Sequence, residues 1–573
     1  MTLSLGDIKK AALKAPGRGD LTPLDVCLGV LNDYCPGEDL LSAKISDEDE
    51  AHFLISSLYT LLIPSDQRRR QAAFFTPPPI VGHLLDQVVK AGVDLSSCRV
   101  LDPAAGGAAF LSSVAASMLH AGLSPEQTVG RLNGIEVDPA LALLSREMLA
   151  RRLGLPEVPK TVVKVADTLR LTPEPCYDLV LANPPYGRLF GHAAETKGAW
   201  ADYVDPGHVN LYAIFVGLSI AYAKPGGVIG LVLPRSFISG SLFSSLRRHL
   251  RTKCDLISLD LIDKRKGVFL DVGQDICVLV ARKLDQARTT FETGAVPCAL
   301  LSLTEGAQTQ EPVTLPTDPL APWLLPAVGG ACRGGTATIE DYGYTVRSGY
   351  FVWNREGARM RAEPSADAYP LVWAHNIKAG KPCVPVSKTR ADAVDYVHFQ
   401  EPGSGIIRNP SVVLQRTTNG KQPRRLIPAV VDPSIVAAHG GFVAENHVIV
   451  VFSNREGAAE PELMAKLLGS LEVDRRYRRV AGGSNISTLL LRGLALPHPD
   501  ILAKVVAETL DFDEAVVKAY EQDQGENPEE RSITNGLHQG SDGADEAGDG
   551  GSPGSPAGQC GPPQEGQGRA AAE

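Results

Sequence analysis

Residues 177–186 read Tyr177-Asp178-Leu179-Val180-Leu181-Ala182-Asn183-Pro184-Pro185-Tyr186, and the fold turns on how these ten residues divide. The first six form an apolar run of strand length, the pattern of a strand buried on both faces of a parallel sheet. Pro184 and Pro185 cannot continue a ladder, so the chain turns at the strand's carboxyl end with little conformational freedom. Open α/β sheets bind their ligands at such ends. Asn183 offers a side-chain carbonyl there, and Pro184 a backbone carbonyl outside the ladder. Two acceptors aimed at one NH2 group polarise its nitrogen lone pair and stabilise positive charge growing on it. Tyr186 can lie flat against a ring that carries the amine. A plain proline-rich turn uses the same four residues, and the tetrapeptide alone does not separate the two readings.

Its neighbours do. Between residues 67 and 283 strand and helix signals alternate, which predicts a doubly wound parallel sheet. Thr76-Pro77-Pro78-Pro79 ahead of Ile80, Val81, Leu84, Leu85 and Val88 reads as a capped helix start. Arg99-Val100-Leu101-Asp102 is a short strand that runs into the small-residue turn Pro103-Ala104-Ala105-Gly106-Gly107-Ala108 and a helix. Further strands end at Glu136, Asp167 and Asn183, a helix spans 210–223, and a fifth strand spans 227–234. Two last apolar segments, 256–262 and 276–281, are expected to pair antiparallel at the sheet's edge.

Each strand end has a chemical use. A small-residue turn lets backbone approach a ligand closely, and the helix it opens aims N–H groups at that ligand. Glu136 can take both hydroxyls of a ribose, and Asp167 can accept from an amino group one strand further on. The plainer alternative is that these acids cap the helices that follow them.

The chain of 573 residues is too long for one ordinary core, so two or three domains are expected. No apolar run reaches the roughly 18 residues of a membrane span, and the N-terminus lacks the apolar core of a signal peptide. Ten cysteines are scattered without a C-x-x-C pair, which argues against metal sites and a disulfide framework and for a reducing cytoplasm. The net charge of −10 is concentrated in the tail: residues 521–573 hold eleven acids against two bases among Gly, Pro, Ser and Gln. That composition predicts a disordered acidic tail. The rest of the chain is nearly neutral, and residues 341–500 are mildly basic, which permits nucleic acid as a partner without demanding it.

On these residues the chain resembles the adenosylmethionine-dependent amino-methyltransferases of DNA, specifically the gamma class that makes N6-methyladenine. Phe75-Thr76-Pro77 resembles the motif that touches the methionine end of S-adenosyl-L-methionine. Asp102-Pro103-Ala104-x-Gly106 resembles the cofactor turn, and Asn183-Pro184-Pro185-Tyr186 the catalytic tetrapeptide, in the order that class implies. The resemblance implies a cofactor site of Phe75, Thr76, Asp102, Ala104, Gly106, Glu136 and Asp167, and adenine as target because position 183 is Asn. One departure stands out: Ala108 occupies a place where the class usually has glycine.

The implied reaction is methyl transfer to N6 of an adenine flipped out of double-stranded DNA. Asn183 and the Pro184 carbonyl orient the amine, Tyr186 stacks on one face of the base, and Phe269 resembles the second stacking residue, with a core phenylalanine as the alternative. Neither a metal nor a covalent intermediate is required. The implied setting is a bacterial cytoplasm, on the nucleoid when bound to DNA, beside a cognate restriction endonuclease that acts as a separate protein. An RNA-base methyltransferase, a protein-glutamine N-methyltransferase and a DNA-binding protein with a degenerate cofactor pocket are the alternatives.

The expected organisation is a helical segment over 1–65, the Rossmann-like methyltransferase domain with an antiparallel edge strand over 66–285, and a linker over 286–340. An α+β target-recognition domain follows over 341–505, then a helix and the disordered tail over 506–573. In the recognition domain, Arg416 at the end of a strand and the pair Arg424-Arg425 are candidates for contacting DNA. Arg475-Arg476-Tyr477-Arg478-Arg479 reads as a basic helical face, most simply a solvated one. Ser484-Asn485-Ile486-Ser487 resembles a segment near the end of such domains, or serves as a helix N-cap.

Overall fold

The computed structural model describes residues 23–34, 47–62, 75–187, 200, 202–204, 209–262, 275–302, 306–326, 334–390, 393–399, 403, 405–418, 422, 424–453, 455–481 and 485–523. The acidic tail beyond 523, Phe269 and Ser484 lie outside them.

Two helices come first, α1 (Pro23–Tyr34) and α2 (Glu48–Leu62). Then α3 (Pro78–Lys90) leads into the alternating unit: β1 (Val100–Asp102), α4 (Ala109–His120), β2 (Leu132–Glu136), α5 (Pro139–Leu153), β3 (Val163–Val165) and β4 (Tyr177–Ala182). After them come α6 (Leu211–Tyr222), β5 (Ala223–Pro234), α7 (Ser244–Lys253), β6 (Cys254–Ile262), β7 (Ile276–Lys283), β8 (Gly294–Ser302) and β9 (Gly306–Leu315). Among the described residues they form one nine-stranded sheet ordered β3-β2-β1-β4-β5-β7-β6-β8-β9. The first five strands are parallel, with β1 paired to both β2 and β4.

Period-two alternation along β4 fills both faces. Leu179 and Leu181 join the core under α3, α4 and α5, while Val180 and Ala182 join the core under α6 and α7. The next residue, Asn183, returns to the α3 side. Parity thus brings it to the segment that carries Thr76.

Three expectations need correction. The segments 256–262 and 276–281 do pair antiparallel, but β7 inserts between β5 and β6, so the pair is internal. The sheet continues through β8, parallel to β6, to the antiparallel edge strand β9. Residues 294–315, read as linker, are therefore part of the sheet. Beside the strand pairing and the apolar packing of Val296 and Cys298, a buried side chain that no periodicity reveals joins the extension to the core. Asp260 of β6 accepts the backbone N–H of Ala299 at 2.8 Å with Oδ1 and meets His83 Nε2 of α3 at 2.8 Å with Oδ2. Third, Thr76 does not cap α3: the N-cap is Pro77, with no side-chain cap.

The N-terminal helices dock on α5, where Cys27, Leu31, Ile55 and Leu58 pack against Leu141, Leu144 and Met148. Beyond β9 come two four-stranded sheets. The first, β10-β17-β14-β15, uses Tyr344–Ser348, Val448–Ser453, Ser411–Gln415 and Pro428–Val430. The second, β11-β13-β12-β16, uses Met360–Arg361, Tyr396–His398, Ala368–Val372 and Val443–Ala444. Helices α8 (Pro461–Gly469), α9 (Leu471–Val480), α10 (Pro499–Glu508) and α11 (Phe512–Gln522) share a core with the first sheet. The expected boundary at 505 falls inside α10.

Replacing Asp260 by Ala strands a buried imidazole nitrogen and a buried N–H. We expect a cost of about 3 kcal/mol, read by hydrogen exchange as a roughly 100-fold loss of protection at Ala299 and its β8 neighbours. Unchanged β8 protection would show that the clamp does not hold the extension.

Candidate active site

The crevice lies beyond the carboxyl ends of β1 and β4. The strand order reverses there, and the helices after the two strands cover opposite faces of the sheet. Asn183 Nδ2 donates to Thr76 Oγ1 at 3.0 Å, across 107 residues of sequence. The Tyr186 hydroxyl donates to Asn183 Oδ1 at 2.7 Å and lies 3.1 Å from the Val232 carbonyl of β5. The amide is thereby held at both ends. Burial raises the Tyr186 hydroxyl well above the usual phenol range, so it stays protonated and remains a donor. No hydrogen bond among the described residues uses the Pro184 carbonyl.

The Tyr186 ring stands edge-on to Tyr212, with centroids 6.4 Å apart, and Tyr212 stacks on Phe243 at 5.2 Å. Tyr212 also shares a hydrogen bond with Ser236 at 3.1 Å, just past the end of β5. Tyr212, Ser236 and Phe243 escaped the sequence reading. The only signal was an aromatic at the second position of the helix after Asn210, which caps it.

The second half of the crevice is the small-residue turn after β1. Gly106 has φ +51° and its N–H donates to Glu136 Oε2 at 2.9 Å, while Asp138 N–H donates to Glu136 Oε1 at 2.9 Å. A side chain on Gly106 would come within 3.4 Å of the Phe75 ring, so the motif before the sheet lies against the turn. A Cβ on Gly107 would come within 2.1 Å of Ser56 Oγ, so α2 buttresses the turn from behind. Ala108 is the one non-glycine residue among those described with positive φ, at +59°. It occupies the left-handed position where a glycine costs nothing, and its strain is on the order of 1 kcal/mol.

The acids divide between capping and ligand duty. Asp138 caps α5, and Asp167 accepts from Leu169 N–H while pairing with Arg170 at 3.3 Å. For Asp167, capping leaves one oxygen beside an exposed arginine. Glu136 caps nothing, and its carboxylate, raised by burial, ties the turn to β2 with lone pairs to spare. Asp102 is buried and accepts from Ala104 N–H at 3.0 Å. Burial pushes its carboxyl up to about 8. Acceptors at consecutive strand ends around a turn without side chains suit a ligand rich in N–H and O–H groups. Among the described residues no cluster of His, Cys, Asp and Glu could hold a metal ion, and no helix is long and apolar enough to cross a membrane.

The arginines singled out in the C-terminal region each meet a protein partner. Arg425 is buried, its guanidinium 3.8 Å from Asp275 at the head of β7, so it braces the C-terminal region against the sheet instead of facing a duplex. Arg424 lies 3.6 Å from Asp513, and Arg416 donates to the Asn446 carbonyl at 3.1 Å. Three arginines of α9 pair within the helix, Arg475 and Arg476 with Glu472 and Arg478 with Asp474, while Arg479 donates to the Leu325 carbonyl at 3.0 Å. Arg476 is buried over the Tyr520 ring at 3.5 Å. Ser487 caps the helix Thr488–Arg492, and Asn485 bonds Thr417 at 2.7 Å.

Asp102 yields a stability prediction for the ligand-free protein. Its folded pKa is raised, so ionisation favours the unfolded chain from about pH 4, the ordinary carboxyl value, up to about 8. Asp102→Asn keeps the acceptor for Ala104 and removes that loss. Its melting temperature is therefore expected to gain on the parent progressively across this window, reaching several degrees, and to level off above it. A gap that stays constant with pH would overturn the assignment.

Residues 55–296 match the family described as N-6 DNA Methylase. The type II methyltransferase M.PstI of Providencia stuartii is 23% identical over 356 residues, which cover 59% of this chain and 68% of that protein. M.BsuBI of Bacillus subtilis is 21% identical over 457 residues, 71% of this chain and 84% of that protein. Among solved structures, the type IIG restriction endonuclease BpuSI aligns over 92% of this chain and 75% of its own, with 14% identity and a TM-score of 0.41.

Proposed function

We propose that this chain, a member of the N-6 DNA methylase family and a DNA adenine methyltransferase of the restriction–modification type, takes its methyl group from S-adenosylmethionine and acts on an adenine turned out of the duplex. The observation that carries the proposal is the hydrogen-bonded chain Thr76–Asn183–Tyr186, which fixes an amide at the crevice mouth. S-adenosylmethionine, when bound, supplies an electrophilic methyl group on sulfur. Gly106 and Ala104 offer backbone without bulk to hold it, Glu136 offers acceptors for its ribose, and Phe75 closes the methionine end.

Asn183 presents a side-chain carbonyl fixed by the Tyr186 hydroxyl, and Pro184 has a carbonyl outside the ladder. Together they would accept hydrogen bonds from the two N6 hydrogens, turn its lone pair toward the methyl group, and offset the positive charge on nitrogen until one N6 proton is lost to solvent. Tyr186, with its hydroxyl tied to Val232 and Asn183, presents a ring of fixed plane for the extruded base to stack on, at a flipping cost of a few kcal/mol. Phe269 remains our candidate for the opposite face. The biological role we assign is protection of host DNA from a cognate endonuclease acting as a separate protein in the cytoplasm.

Purified protein given labelled S-adenosylmethionine is expected to label N6 of adenine in duplex DNA, and Asn183→Ala to abolish the label. Label on RNA or protein with none on DNA would overturn the reading. Thr76→Val keeps the shape of residue 76 but leaves the Asn183 amide held at one end. Its turnover number should fall roughly ten-fold, about 1.4 kcal/mol, with little change in DNA affinity.

A further inference from the structure

Both exposed aromatic rings among the described residues fall on one loop. Tyr350 is 43% and Trp353 45% exposed, and they follow β10 three residues apart. Cations meet the rings of this neighbourhood. Lys388 Nζ lies 5.5 Å from the Trp353 centroid and 5.8 Å from that of Trp373, and the Arg408 guanidinium lies 5.8 Å from Tyr369. Phe399 joins the parts, 5.8 Å from Tyr369 and 6.1 Å from Tyr350. Exposed aromatic surface is costly to leave in water and marks a contact surface when it clusters.

The charge on this strip is what identifies the partner. Neither Lys388 nor Arg408 has a carboxylate partner among the described residues. Arg475, Arg476 and Arg478 of α9, by contrast, pair with Glu472 and Asp474. A cation over a ring face keeps its full charge for an anion arriving from solvent. Arg359, over Tyr350 and Phe399, is paired with Glu356, but rings interleaved with Lys388 and Arg408 suit a polyanion with flat, apolar sugars and bases; a protein groove would be drier and less charged.

We propose that this strip contacts duplex DNA, with Lys388 and Arg408 on backbone phosphates and Trp353 and Tyr350 packed on the sugars and base edges between them. The assignment rests on the reading of duplex DNA as substrate and adds where the recognition half grips it. The strip belongs to the second C-terminal sheet, at none of the arginines that sequence had marked.

The test is fluorescence-anisotropy titration of the full-length protein with a mixed-sequence duplex of about 40 base pairs across a salt series. Lys388→Gln and Arg408→Gln should each lower the slope of log affinity against log salt by about 0.9. Trp353→Ala should weaken binding roughly ten-fold with the slope unchanged. Arg475→Gln, at an arginine already paired with Glu472, should leave the slope as it was. These side chains are exposed, so melting temperatures equal to the parent's are expected alongside the binding loss. If the wild-type protein methylates DNA while all three strip variants bind like it with the same slope, the strip is wrong and the catalytic reading stands. If the wild-type protein neither binds nor labels a duplex, the catalytic reading fails and takes the strip with it.

Discussion

The rest of this structure depends on the reversal of strand order between β1 and β4. Two parallel strands lie side by side, yet the helices that follow them cover opposite faces of the sheet. No backbone can fill the space beyond their carboxyl ends, and a crevice is forced there. Asp102 ends one strand and Asn183 follows the other, so the two halves of the site become neighbours for topological reasons before any side chain contributes. The chain then brings in Thr76 and Phe75 from before the sheet and Val232 from β5 to complete the crevice wall.

The crevice is held in a state that water would not favour. Asp102 sits in apolar surroundings with its carboxyl pushed toward neutrality, and Glu136 is raised by burial against the pull of two N–H groups. Ala108 holds a left-handed backbone without the glycine that would relax it. Unfavourable local choices of this kind concentrate where a ligand is to be received, since the ligand's own donors relieve them. The surrounding fold bears the load through groups that are fully satisfied, such as Arg247 of α7, whose guanidinium meets carbonyls of Phe237, Gly240, Leu320 and Ala321.

Much of the catalytic half was legible because its signals are local. An apolar run ended by two prolines, a turn of alanines and glycines, and acids at strand ends each read out over five or six residues. The errors came from elements defined by partners far away in sequence. Residues 294–315 look like linker because β9 alternates polar and small residues, while the hairpin is tied to the core by its pairing with β6, by Val296, Cys298, Val313 and Leu315, and by the Asp260 bond to Ala299. Thr76 looks like a cap because threonine before prolines usually is one. Its hydroxyl instead serves a residue 107 positions away. Arg425 looks like part of a basic surface until Asp275, 150 residues earlier, meets it, whereas the partners of Arg476 and Arg478 lie four residues back in the same helix, where the sequence already offered them.

By itself the sequence determined the alternation of strands and helices along the chain as far as β5, the small-residue turn after β1, and the amide and ring that follow β4. These follow from side-chain periodicity and from the backbone limits of proline and glycine, which act within a few residues. Tertiary structure decided which hydrogen bonds hold the amide, which carboxyls burial raises, and which cations find a carboxylate far away in sequence. Those outcomes depend on burial and on partners brought together from distant segments, and no local pattern carries that information.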